Sequence, residues 1–431
     1  MLKLISRQNR VKHLVILLGV AILVWNLIMY RKLSRNKITL STTQEKELLF
    51  RLDDLEQKLL RQIEENGELL EKLQRANPFP YLPRGSRENY LPVLVMACNR
   101  VSVNRALDKL IQYRSPPARF PIVVSQDCGH QQTADVINTY VVPHNITHIK
   151  QPDLSDIQVP PAHVKLVNYY KVSRHYKWAL EQMFMVFNFS AVIIVEDDLE
   201  VAPDFYEYFS AVYPLLKNDS SLWCISAWND NGMGGKISGD SALLHRTDFF
   251  PGLGWLLDKE LWMELRSKWP ATFWDDWMRH ADQRKGRQCI RPEICRTKTF
   301  GEKGVSNGAF YAKYLQHIIL NSEFVPFSKL DLSYLEKDKY NATFTSKVYS
   351  APLFSSADVL SGARPNDTVV RLEYTDKNSY VNVARQFGIM EDFKSGVPRV
   401  GYNGVVTFTF KGRRVYIAPP SPWTGYNPSW N

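Results

Sequence analysis

The chain has 431 residues, 45% of them hydrophobic and 23% charged, with 54 basic side chains against 44 acidic ones. This composition excludes a disordered chain, a collagen and a polytopic membrane protein, and the length allows about two to four ordinary domains. The formal charge of +10 suggests a nucleic-acid binder, but eight basic residues and no acidic one fall within residues 1–40, so the rest carries 46 basic against 44 acidic groups. A groove for phosphate backbones needs its charge on the folded body, and nucleic acid is excluded as a partner.

Leu14 to Met29 is apolar apart from Gly19 and Asn26, with basic residues on both sides. At ~1.5 Å per residue it covers roughly 24 Å, short of a ~30 Å hydrocarbon core and suited to the thinner membranes of the early secretory pathway. A cleaved signal peptide is the alternative. No small-x-small site comes after the run, and Arg31 and Lys32 lie directly beyond it, which favours an uncleaved anchor at residues 14–30 behind a cytosolic tail at 1–13. Four basic residues on each side leave the orientation unset. Asn145, Asn188, Asn218, Asn341 and Asn366 each begin an N-x-S/T acceptor sequence, which favours a lumenal body. The five cysteines, Cys98, Cys128, Cys224, Cys289 and Cys295, match no zinc spacing. An oxidising lumen would give at most two bridges and one thiol; a reducing compartment would leave all five as buried thiols.

Residues 31–90 read as a stem. Within it a helix is expected over 43–75, where Leu48, Leu52, Leu55, Leu59 and Ile63 have coiled-coil-like spacing. A lone amphipathic helix fits nearly as well, and Pro78, Pro80 and Pro83 end it. The body begins near Leu91. Apolar runs predict buried strands at Pro92–Ala97, Phe120–Ser125, Ile146–Ile149 and Ala191–Val195, with helices at Val103–Tyr113 and Lys165–Met185. Strands alternating with helices predict a mostly parallel α/β sheet over 91–335, with ligands at the carboxyl ends of the strands. A smaller α+β region is expected over 336–431, with a hairpin of Val405–Phe410 and Arg414–Ile417 turning at 411–413.

Glu196, Asp197 and Asp198 come directly after the apolar strand. Three adjacent carboxylates are tolerable if a divalent cation, arginines or ribose hydroxyls oppose them, and hard oxygen ligands point to Mg2+ or Mn2+. A solvated acidic turn is the alternative. In Phe273-Trp274-Asp275-Asp276-Trp277 a carboxylate wedged between aromatics would be poorly solvated, which suits a general base, while the rings suit a sugar face. The alternative is a core helix with an aspartate cap. Asn99-Arg100 and Asp127 lie just past the first two strands, so Arg100 could face a diphosphate or form a surface ion pair. His175 lies mid-helix, where a packed role is the commoner one. Gly301 to Gly308 holds three glycines in eight residues and suits either a mobile lid or an idle loop.

Several longer segments resemble the N-acetylglucosaminyltransferase I family: VEDDLEVAPDFYEYF (195–209), LWCISAWNDNG (222–232), FFPGLGWLL (249–257), FWDDWMR (273–279), CIRPEI (289–294) and FGEKGVSNG (300–308). The likeness runs from about Pro92 to the final Pro428-Ser429-Trp430-Asn431. It implies a GT-A fold, a Rossmann-like nucleotide-sugar domain with a smaller C-terminal domain. It also implies inverting transfer of GlcNAc from UDP-GlcNAc to the 2-hydroxyl of the α-1,3-linked mannose of Man5GlcNAc2 glycans, the first step toward hybrid and complex N-glycans. By the same resemblance Asp198 binds Mn2+, with Mg2+ as a substitute, Asp197 contacts the donor sugar and Glu196 lies close by. Arg100, Asp127 and His175 hold the uridine and diphosphate. Ser306, with Gly304 and Val305, orders over the donor; Leu253 and Trp274 line the GlcNAc pocket; Asp275 is the general base. Asn99 stands where animal-type members have Asp. The resemblance further implies the bridges Cys98–Cys128 and Cys224–Cys289, a free Cys295, and a Golgi type II membrane protein; the coiled-coil-like spacing of the stem, apart from the resemblance, suits association with itself or with other Golgi glycosyltransferases. A lumenal glycoside hydrolase, which needs no metal, a non-catalytic lectin and a related mannoside transferase are the competing readings.

Overall fold

The computed structural model describes residues 25, 26, 29, 42–76, 90–302, 304, 308 and 310–431. The chain divides into two units, Met1–Pro78 and Phe79–Asn431. In the first, helix α1 (Thr42–Ala76) carries the expected stem helix. Its leucines at 52, 55 and 59 and Ile63 are exposed, and Arg51–Glu47 and Lys58–Asp54 pair along its surface. Apart from residues 25, 26 and 29, the anchor expected at 14–30 lies outside the described residues. Among the described residues no helix is long and apolar enough to cross a membrane.

The second unit opens with β1 (Val93–Ala97), α2 (Val103–Tyr113), β2 (Ile122–Gln126), α3 (Gln131–His144), β3 (Ile146–Lys150), α4 (Val167–Glu181) and β4 (Ala191–Glu196). These strands lie parallel in the order β3-β2-β1-β4. Helices cover both faces, so successive residues of one strand feed different cores. Val93 and Val95 pack with Leu107 and Leu110, whereas Leu94 and Met96 pack with Leu180 and Met183. The single helix expected at 165–185 is three pieces: a tight turn at Pro161–Leu166, α4, and a wide π-type turn at Gln182–Val186. Glu196 belongs to β4 itself.

The next elements are β5 (Leu199–Val201), α5 (Phe205–Asn218), β6 (Leu222–Ser226), β7 (Leu244–Thr247), β8 (Trp255–Asp258), α6 (Lys259–Leu265), α7 (Trp274–Arg279), β9 (Gln288–Pro292) and β10 (Thr297–Thr299). The main sheet runs on from β4 as β8-β6-β9-β7. Strand β8 is antiparallel to β4 and β6, and β7 to β9, so the sheet is mixed rather than mostly parallel. The reversal is made at Gly252-Leu253-Gly254, all at positive φ (69°, 49°, 92°), which turn the chain straight into the sheet beside β4. Glycine is required at 254, where a Cβ would sit 2.6 Å from Thr297 Cγ2.

Both implied disulfides are formed. Cys98–Cys128 ties the chain leaving β1 to the chain leaving β2, and Cys224–Cys289 joins facing residues of β6 and β9. Cys295 is a buried thiol. Beyond these elements come α8 (Lys337–Ser350), β11 (Val369–Glu373), α9 (Lys377–Phe387), the short β12 (Phe393–Lys394) and β13 (Val397–Pro398), β14 (Val406–Phe410) and β15 (Arg413–Ala418). Strands β11-β15-β14 form a small sheet over its own core, including Leu372, Phe387, Phe408 and Ile417. The expected hairpin is there, turning at Lys411 and Gly412, both at positive φ.

Candidate active site

The carboxyl ends of β2, β1 and β4 lie side by side and deliver Asp127, Arg100 and the acidic triplet to one edge. Backbone bonds knit the three exits together. The Asp127 N–H donates to Ala97 O (2.9 Å), the Asp197 N–H to Met96 O (3.0 Å) and the Cys98 N–H to Asp197 Oδ2 (3.2 Å). The Cys98–Cys128 bridge fixes two of these exits covalently. Arg100 Nε pairs with Asp197 Oδ1 (3.2 Å) and its Nη2 with Asp198 Oδ2 (3.1 Å). The ion-pairing arginine and the site arginine are thus one residue, and its partners are two of the triplet, Asp197 and Asp198.

Even so, the triplet is undercompensated. Burial first, and then the charge of Asp198, push Glu196 and Asp197 each up to about 7. Burial also raises Asp198 against the pull of Arg100. A hard divalent cation would relieve this crowding, and the donor set of carboxylate oxygens fits one. Among the described residues no three His, Cys, Asp or Glu side chains converge into a metal cage.

The loop after β10 leans on this edge. The Phe300 N–H donates to the Asp198 carbonyl (2.9 Å). A Cβ at Gly301 would overlap Asp198 Oδ2 and come within 2.8 Å of its Cγ and 2.9 Å of Arg100 Nη1; at Gly304 it would sit 3.4 Å from Arg100 Nη2. Val305 and Ser306 lie outside the described residues.

Asp127 is buried, and burial raises its carboxyl. His175 is buried beneath the edge with Nε2 2.8 Å from Ser125 Oγ. Burial, then the charge of Arg174, push its pKa down to about 3 and hold the ring neutral.

From the other side comes the aromatic cluster. Trp274 opens α7 and is only 8% exposed; its ring stacks on Tyr176 (4.3 Å) and on Trp255 and Trp269 (5.9 Å each). Tyr176 donates to Glu196 Oε1 (2.9 Å), so one stack links the acidic triplet to α7. Asp275 comes next after Trp274, and its charge adds to the upward push on Glu196 and Tyr176, behind burial and nearer charges. The expected poor solvation of Asp275 does not hold. Its side chain is 44% exposed and pairs with Arg279 Nη1 (2.9 Å), because α7 presents position 275 outward while Trp274 goes into the core. Asp276 lies in the first turn beside it, and Phe273, not an aspartate, caps the helix. Leu253 is half-buried at the β8 reversal, its carbonyl accepting from Thr297 Oγ1 (2.6 Å).

Sequence reasoning misses three contributors: Tyr176, Arg279 and Lys394, whose Nζ donates to Asp276 Oδ2 (3.0 Å). Spacing of i,i+4 from Asp275 could reveal Arg279; nothing local reveals the other two. All five candidate glycosylation asparagines are exposed.

This site sits on a mixed α/β fold of the nucleotide-binding kind, with its polar residues at strand carboxyl ends. The family model described as the GNT-I family matches residues 28–430, and the chain belongs to that family. A relative from Arabidopsis thaliana named alpha-1,3-mannosyl-glycoprotein 2-beta-N-acetylglucosaminyltransferase is 40% identical over 342 residues, covering 79% of this chain and 76% of the relative. Among solved structures, S. aureus TarS 1-349 in complex with UDP is similar over 69% of this chain and 81% of its own, with 13% identity and a TM-score of 0.35. The mannosyltransferase PcManGT from Pyrobaculum calidifontis in complex with GDP-Man and Mn2+ is similar over 68% of this chain and 86% of its own, with 16% identity and a TM-score of 0.34.

Proposed function

We infer that the chain is an inverting glycosyltransferase of the GT-A kind. It transfers GlcNAc from UDP-GlcNAc to the 2-hydroxyl of the α-1,3-linked mannose of Man5GlcNAc2 N-glycans. Family membership over nearly the whole chain carries the activity. The joining of the acidic triplet to Asp275 through Tyr176 and Trp274 supports the assignment of roles.

In this reading Asp127 and His175 hold the uridine, and Arg100 turns from the aspartates toward the diphosphate. Asp197 contacts the donor sugar, with Glu196 held behind it by Tyr176. Leu253 and Trp274 border the GlcNAc, and residues 304–306 close over the donor, excluding water and so suppressing its hydrolysis. Asp198 would hold Mn2+, or Mg2+ in its place, and the cation supplies positive charge for the diphosphate. Asp275 accepts the proton of the mannose 2-hydroxyl as its oxygen forms the bond to C1 of GlcNAc. The C1–O bond to UDP breaks on the opposite face, which inverts the anomeric centre. One base suffices because UDP is a good leaving group. The two bridges and the exposed acceptor asparagines support a lumenal body, held to the Golgi membrane by the segment at 14–30.

Asp275→Asn tests the roles. Transfer should be abolished while calorimetry still finds Mn2+-dependent UDP-GlcNAc binding. Loss of that binding would make Asp275 a structural residue instead.

A further inference from the structure

We propose that Arg279 is the positioning residue for the base Asp275, and that Asp276 and Lys394 hold Arg279 in place. The inference rests on the reading of Asp275 as the general base. Arg279 lies four residues after Asp275 and three after Asp276, on the same face of α7. It is 8% exposed, and its guanidinium is gripped at several points. Nε donates to Phe250 O (3.0 Å), and the plane lies over the Phe249 ring, 4.9 Å from its centroid. Nη1 donates to Asp275 Oδ2 (2.9 Å) and to Asp276 Oδ1 (2.8 Å).

An aspartate χ2 is a broad, soft torsion, so a half-exposed Asp275 left alone would sample many orientations. A hydrogen bond from a rigid, buried guanidinium selects one and leaves Oδ1 for the acceptor hydroxyl. Asp276 competes for the same Nη1. Its other oxygen, Oδ2, is occupied by Lys394 Nζ at the end of β12, which fixes how Asp276 approaches Arg279. Burial works against ionisation of Asp276, but the charges of Arg279 and Lys394 outweigh it, so the carboxylate stays an acceptor for both. The base is thereby set by a chain of three side chains reaching from α7 to β12. The donor edge lies outside that chain, so its loss should strike the chemical step rather than donor binding.

The test uses the full-length chain in detergent, with kcat from GlcNAc transfer and the dissociation constant of UDP-GlcNAc with Mn2+ from calorimetry. The wild type must transfer; if it does not, the functional reading fails and this inference falls with it. For Arg279→Met we expect kcat to drop about 100-fold, the loss typical of a reacting group displaced by about 1 Å, with donor affinity within about twofold of wild type. A kcat within about threefold of wild type, or a donor affinity that falls in step with kcat, would overturn the proposal. Should Arg279→Met fail to fold, Lys394→Met decides. Lys394 is half-exposed, and its removal should lower kcat about threefold to tenfold at unchanged donor affinity; an unchanged kcat would overturn the proposal.

Discussion

Substituting Gly301 by alanine adds one methyl group at the point where the loop after β10 touches the acidic edge. Gly301 is not at positive φ, so alanine meets no backbone strain. Its Cβ would overlap Asp198 Oδ2 and come within 2.8 Å of Asp198 Cγ and 2.9 Å of Arg100 Nη1. To restore an ordinary contact the carboxylate must withdraw by about 1 Å or more, and Arg100 is paired with it and must move too. Displacement of about 1 Å in a reacting or ligating group costs on the order of 100-fold. We therefore expect Gly301→Ala to weaken Mn2+-dependent UDP binding, and transfer, by roughly that factor. The melting temperature should fall slightly, because the methyl group disturbs the Asp198–Arg100 pair and the lower entropy of the unfolded chain only partly offsets that cost. Gly239→Ala is the control, because nothing lies within 4 Å of its Cβ position. Calorimetric titration of each variant with UDP, with and without Mn2+, gives the comparison. Wild-type binding by Gly301→Ala would overturn this expectation, for it would place Asp198 away from this loop in the binding-competent state.

Donor binding should also tighten with pH. Asp197 is pushed up to about 7 by burial and by Asp198, so it is largely protonated at pH 6, and its ionisation adds negative charge beside the cation that Asp198 would hold. For one such group the dissociation constant of UDP-GlcNAc with Mn2+ should be larger at pH 6 than at pH 8, by up to about tenfold; a flat profile would contradict this. Cys295→Ser should leave kcat unchanged and lower the melting temperature by about 2 °C or less. A serine hydroxyl can still accept from the Asn229 N–H and donate to Asn229 O, as the thiol does. Asp204→Ala should cost about 3–5 kcal/mol in denaturant unfolding, because it strands Arg296, whose guanidinium pairs with Asp204 where both side chains are wholly buried. A cost under about 1 kcal/mol would show that the arginine finds another partner.

The parallel half of the sheet is legible in the sequence because β1, β2 and β4 are built on apolar runs (93–97, 122–124 and 191–195), and residues just past the ends of such runs fall on a ligand-binding edge. Arg100, Asp127 and Glu196–Asp198 can thus be grouped from sequence alone. Strands β7 and β9 are not legible. They bury Arg246 and Arg291, residues that argue locally for the surface. Arg246 is tolerated because Asp219, Gln288 and the carbonyl of Leu335, all distant in sequence, meet its guanidinium. The mixed character of the sheet is hidden too, since β7 carries one of these arginines and β8 is only four residues long, and these are the strands that reverse direction. Asp275 can be found through its aromatic neighbours, but its exposure depends on which way α7 faces. The support of Arg279 by Phe250, and of Asp276 by Lys394, exists only in the folded chain.

Donor, acceptor and cation are tested together by a transfer assay on the full-length chain in detergent, supplied with UDP-GlcNAc and Man5GlcNAc2, with Mn2+ or with EDTA, beside Asp198→Asn. We expect one GlcNAc added in β-1,2 linkage to the α-1,3-linked mannose, only with the cation, and lost in the variant. Folded wild-type protein that leaves UDP-GlcNAc and the glycan unchanged in the presence of Mn2+ would contradict the assignment.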